Sequence, residues 1–72
     1  MVEIPNSAID RLLRKGGATR VSKSAIHELQ KELEEYGVKI AVLGNEIASY
    51  AGKKTIEGED ILLAIRKNKM FS

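Results

Sequence analysis

The sequence predicts an all-α protein: a short helix, a long central helix and a second short helix. Three observations predict it. Apolar residues through the middle of the chain (Ile26, Leu29, Leu33, Tyr36, Ile40, Leu43, Ile47 and Tyr50) recur at alternating spacings of three and four, a helical rather than a strand period. That stretch carries its own punctuation. Ser22 is placed as an N-cap with Val21 and Ile26 as a hydrophobic staple, and Gly52 stands where a left-handed residue closes a helix. Each flank then holds one short apolar-periodic segment, the first stopped by Gly16-Gly17, the second opened by acidic and closed by basic residues.

Met1 to Pro5 forms a short lead, with Asn6 as the expected N-cap of a helix over Ser7–Lys15. Ile9, Leu12 and Leu13 make its inward side. Arg11, Arg14 and Lys15 stand at i, i+3 and i+4 and share one face. Spacing alone fits both a solvated face favoured by the helix C-terminus and a cationic patch. Ala18 to Val21 is a loop containing Arg20.

The central helix, Lys23 to Ala51, would span about 43 Å at roughly 1.5 Å per residue. A 72-residue globule has a diameter of about 29 Å. The helix must therefore protrude or lie against a second chain. Gly37, Ala41, Gly44 and Ala48 form a stripe of small residues beside the large one, and Val38 and Val42 make that turn apolar nearly all round. A helix that is apolar on several faces is buried on several faces, so a dimer is expected. Its interface is expected at Leu29, Leu33, Tyr36, Gly37, Ile40, Ala41 and Gly44. Lys53 to Ile56 is a second basic loop, able, like the first, to supply a one- or two-residue bridge. If two long helices cross antiparallel, Arg20 of one chain neighbours Lys53, Lys54 and Thr55 of the partner subunit. Glu57 to Lys67 is the third helix, with Ile61, Ala64 and Ile65 inward and Leu62 and Leu63 widening the apolar surface. Met70-Phe71 is either a frayed end or a small docking patch.

One domain without tails is expected, of a size where oligomerisation often supplements a small core. With no cysteine, disulfides and thiolate metal sites are excluded. Uncharged runs such as Ile40–Asn45 are far too short to span a membrane, and no signal-peptide pattern opens the chain; a soluble cytoplasmic setting is expected. Net charge is +2, unevenly placed: residues 1–23 carry +3, residues 24–50 carry −3 and residues 51–72 carry +2. Positive charge outside an acidic central helix fits a polyanion-binding patch as well as an ordinary mixed surface. His27 reads as a surface histidine, since no further ligands converge on it. Glu32, Glu34 and Glu35 read as solvated charge. Neither GxxxxGK[ST] nor GxGxxG occurs, and no serine or threonine has an activating base. Tyr36 and Tyr50 lie on the apolar stripe, as core or interface. No enzyme activity, cofactor or metal is expected.

Three segments together, IPNSAIDRLLRKGGATRVS, the central helix and AGKKTIEGEDILLAI, resemble the histone fold, and more specifically the archaeal histones, over Ile4 to Lys67. The resemblance implies a head-to-tail handshake homodimer, or pairing with a paralogous histone. It would bind double-stranded DNA without base readout and bend or wrap it, in association with the chromosome. Arg20 matches the arginine inserted into the minor groove, and Thr55 the threonine that orients it from the partner chain. Arg11 matches a first-helix arginine at the phosphates, Arg14 a basic position near the same path, and Lys53 and Lys54 the basic pair of the second loop. Lys53 stands where arginine is common, which implies a weaker pairing with Asp60. Ile47, Tyr50, Asp60 and Leu63 match the contact through which dimers associate, with Tyr50 where a histidine is usual. The alternative implied by the same fold is a dimerisation module of the transcription machinery that caps or bridges DNA rather than wrapping it.

Overall fold

The computed structural model describes residues 3–71 in backbone and 3–69 in side chain. It contains α1 (Asn6–Lys15), α2 (Lys23–Tyr50) and α3 (Gly58–Phe71), with no strand among the described residues. Loop 1 joins α1 to α2 and loop 2 joins α2 to α3. The chain divides into two compact units, Met1–Glu35 and Tyr36–Ser72, with α2 passing from one to the other.

In the first unit α1 starts one residue earlier than expected, and Asn6 does not cap it. The carbonyl of Pro5 accepts from the N–H groups of Ala8 (3.0 Å) and Ile9 (3.2 Å). The Asn6 side chain turns instead to α2, where its Oδ1 accepts from Gln30 Nε2 at 3.1 Å. The lead is clamped to α2 by its own backbone. The N–H of Ile4 donates to Glu34 Oε2 at 2.7 Å, and the Ile4 carbonyl accepts from Gln30 Nε2. Glu34 is thus a half-buried anchor and not the solvated charge its neighbours suggested. Of the expected inward side of α1, Ile9 is fully buried and Leu13 half-buried, whereas Leu12 is exposed within the single chain.

Both loops open with the same closure. At the end of α1, Gly17 takes φ +107°, its N–H donates to the Arg14 carbonyl, and the N–H of Ala18 donates to the Leu13 carbonyl. At the end of α2, Gly52 takes φ +74°, its N–H donates to the Ser49 carbonyl, and the N–H of Lys53 donates to the Ala48 carbonyl. This paired pattern satisfies the last carbonyls of a helix and needs a residue in the left-handed region, which glycine enters without steric cost. Ser22 is the N-cap of α2, its Oγ accepting from the Ala25 N–H at 3.1 Å.

In the second unit α2 and α3 approach closely at Gly44. A Cβ there would lie 3.0 Å from Ile61 Cδ1 and 3.7 Å from Ile56 Cγ2. Gly44 and Ala48 are buried within the chain, as are Ile40 and Ala64. Ile40 and Gly44, both expected at the dimer interface, are already covered within this single chain, Gly44 by Ile61 and Ile56. Gly37 and Ala41, on the same stripe, are exposed, with Tyr36, Val38 and Val42 beside them at 42%, 58% and 53% exposure. The stripe of small residues therefore has two parts, one used inside the chain and one left open.

α3 runs to Phe71, past its expected end at Lys67, because no glycine or proline follows to stop it. Its start is capped from within: Asp60 Oδ2 accepts from the Glu57 N–H at 2.8 Å, and the Glu57 carbonyl accepts from the Asp60 N–H at 3.0 Å. This is the reach-back half of a capping box, made here by aspartate. The side chains of Met70 and Phe71 lie outside the described residues, and with them the question of a docking patch.

Candidate nucleic-acid interface

Loop 1 is held at both of its ends. Closed on one side by the Gly17 cap and on the other by the Ser22 cap, it leaves only Ala18 to Val21 between two finished helix ends. Arg20 projects from it, exposed. Arg11 and Lys15 are exposed on α1. Arg14 is half exposed but engaged: Nε donates to Asp10 Oδ2 at 2.9 Å, and Nη1 donates to the Thr19 carbonyl at 3.2 Å. One of the three cations of this face is thus held within the unit.

In loop 2, Lys54 and Thr55 are exposed and Lys53 is not displayed. The Lys53 ammonium lies 2.9 and 3.1 Å from the two Asp60 oxygens, 3.1 Å from Glu57 Oε1 and 3.4 Å from Glu59 Oε1. Lys53 thus meets both Asp60 oxygens. A single ammonium seated between both carboxylate oxygens touches each, with no need of the guanidinium fork. Asp60 and Glu57, in that order, raise the Lys53 ammonium above its ordinary 10.5. The Glu57 N–H, then Lys53, hold the Asp60 carboxyl below its ordinary 3.8.

Asp60 is 4% exposed, its carboxylate held by Lys53 and by the Glu57 N–H. Of the residues expected at a dimer–dimer contact, Tyr50 is almost fully exposed (94%) and Leu63 is exposed, while Ile47 is half-buried. Leu29 and Leu33, on the expected dimer face, are half-buried. His27 is exposed, and among the described residues no group of histidines and carboxylates is placed to hold a metal ion. No helix among them is long and apolar enough to cross a membrane.

Sequence reasoning missed the roles of Gln30 and Glu34 in holding the lead and of Asp60 in capping α3, while the pairing of Asp60 with Lys53 was expected. The capping spacing from Glu57 to Asp60 was the one local signal available.

A short–long–short set of helices, with a basic loop at each end of the long one, defines a histone-fold chain. The histone-like transcription factor (CBF/NF-Y) and archaeal histone family matches residues 2–65, and the protein belongs to that family. It is 46% identical over 66 residues to one of the subunits of archaeal histone HAN1 from Thermococcus zilligii, covering 92% of this chain and 98% of that one. It is 38% identical over 66 residues to a probable archaeal histone 3 of Methanocaldococcus jannaschii, with the same coverage. A histone-like protein of Mus musculus is 37% identical over 70 residues, 96% of this chain and 67% of the mouse protein.

Proposed function

We propose that this protein is a chromosome-associated architectural histone that pairs head to tail and binds double-stranded DNA without reading base sequence. The observation that carries the reading is Arg20: an exposed guanidinium on a four-residue loop fixed at both ends by formed helix caps. Family membership supplies the class of ligand; the caps supply the rigidity that insertion into a narrow groove requires. Arg11 and Lys54 are the accompanying phosphate contacts. Phosphate contacts of this kind position a protein on DNA, and sequence preference then comes from bendability.

The open part of the small-residue stripe, Gly37 and Ala41 with Tyr36, Val38 and Val42, is the proposed crossing with a second α2. In that crossing Thr55 of the partner subunit would flank Arg20. Lys53 acts indirectly, by holding loop 2 against α3. Nothing in this role requires catalysis, a cofactor or a metal.

Nuclease digestion of plasmid reconstituted with the protein at moderate salt tests the reading. A histone octamer wraps about 146 bp on four dimers, or about 36 bp per dimer. Protected fragments rising in steps of about that size are expected if dimers stack. The second reading, a dimerisation module that caps or bridges, draws on Asp60 being already used inside the chain and on the exposed Glu57 and Glu59 beside loop 2. It expects salt-sensitive binding with one protected length or none. Alanine at Arg20 separates the two readings: under the first, affinity for all duplex sequences should fall together, and unchanged affinity refutes the groove role.

A further inference from the structure

Arg14 differs from its basic neighbours in what it touches. Arg11, Arg14, Lys15 and Arg20 are all exposed to solvent, but the Arg14 guanidinium also bridges two acceptors: the Asp10 carboxylate one turn earlier and the carbonyl of Thr19 in loop 1. The second contact matters because of where that carbonyl sits. The Thr19 C=O and the Arg20 N–H belong to one planar peptide unit, so orienting one orients the other. A bond from Arg14 to Thr19 therefore fixes the peptide plane from which Arg20 departs. Asp10 in turn accepts from Nε at 2.9 Å, an i,i+4 pair that biases the guanidinium toward loop 1.

We propose that Arg14 is a positioning residue that aims Arg20, and not a phosphate contact; the inference rests on the function proposed above. The guanidinium is used for its geometry. Two different nitrogens, Nε and Nη1, serve the two acceptors, and the one nitrogen of lysine cannot occupy both places.

The test is a double-mutant cycle on duplex DNA affinity, with the salt dependence of binding measured for each variant. A phosphate contact contributes about 0.9 to the slope of log affinity against log salt. Removing one from each chain of a dimer would lower that slope by about 1.8. R14Q is expected to weaken binding about three- to tenfold with the slope unchanged, because the bond lost lies inside the protein. In an R20A background R14Q is expected to have no further effect, since nothing remains to be aimed. R14K, which keeps the charge, is expected to behave like R14Q.

A slope lowered by nearly two, additive losses with R20A, or full rescue by R14K would each overturn the proposal. Should R14Q fail to fold, D10A reads the same point: it removes a negative charge near the DNA path, yet is expected to weaken binding by freeing the guanidinium. Affinity that is unchanged or higher in D10A overturns it. An R20A protein that binds like the parent overturns both this proposal and the groove role of Arg20. One that binds weakly alongside an additive R14Q overturns this proposal alone.

Discussion

Gly37→Ala puts the proposed dimer at risk in a single substitution. Gly37 lies inside α2, and a Cβ built on it meets no atom of its own chain within 4 Å. In an isolated chain the change is a gain: alanine is better than glycine in a helix interior by about 1 kcal/mol. For a domain of this size that is a rise in Tm of about 4–8 °C. If a second α2 crosses at Gly37 and Ala41, the added methyl enters a packed contact, and overpacking of that kind costs about 1–3 kcal/mol. With two methyls and two propensity gains per dimer, the balance runs from about zero to a net loss of about 4 kcal/mol. The expected outcome is a lower Tm, more so at low protein concentration, and a weaker dimer by sedimentation equilibrium. A Tm raised by about 4–8 °C with dimerisation unchanged would refute the crossing at Gly37.

Three further outcomes are expected. Because Asp60 titrates below 3.8 in the folded chain, its contribution is present above that pH and lost as pH falls through the lower, folded value; because Lys53 titrates above 10.5, its contribution is present below that pH and lost as pH rises through the higher, folded value. Urea midpoints measured across both limits should show both losses, and Lys53→Met should abolish the alkaline one. Ser22→Ala removes the acceptor of the Ala25 N–H, and since that end is exposed to water the cost should fall at about 0.5–1 kcal/mol, read by thermal denaturation. Glu59→Gln removes an exposed carboxylate beside loop 2 and should raise duplex affinity about twofold at low salt, the difference vanishing as salt screens it.

What the sequence made legible was whatever depends on near neighbours. Ser22, Gly17 and Gly52 declare helix ends within a few residues of themselves, and the apolar period marks α2 from end to end. Asn6 shows the limit of that reasoning. By type it is a good cap, but the Pro5 carbonyl met the helix's first N–H groups, and a side chain 24 residues away claimed the amide. The Ile4 clamp joins residues 26 and 30 positions apart, and no periodicity reports such a pair. Glu34 looks the same as Glu35 in sequence; only the position of the lead separates them. Along the basic residues, type gave the candidates, but whether a cation is displayed (Arg20, Lys54) or engaged (Arg14, Lys53) depends on which acceptors folding brings within about 3 Å. The small-residue stripe was visible as a stripe, while its division between Gly44, facing Ile61, and Gly37, facing nothing in its own chain, required the path of α3.

The clamp on Ile4 has a practical consequence. Gln30 and Glu34 grip main-chain atoms, so neither bond draws on the side chain at position 4; proline there, lacking the N–H, would lose the bond to Glu34 but keep the carbonyl that accepts from Gln30. Position 4 is therefore a fixed mooring whose lettering can change. A fluorophore or affinity handle fused upstream would leave the protein from a defined origin on α2, which makes that end a sound place from which to measure distances to bound DNA.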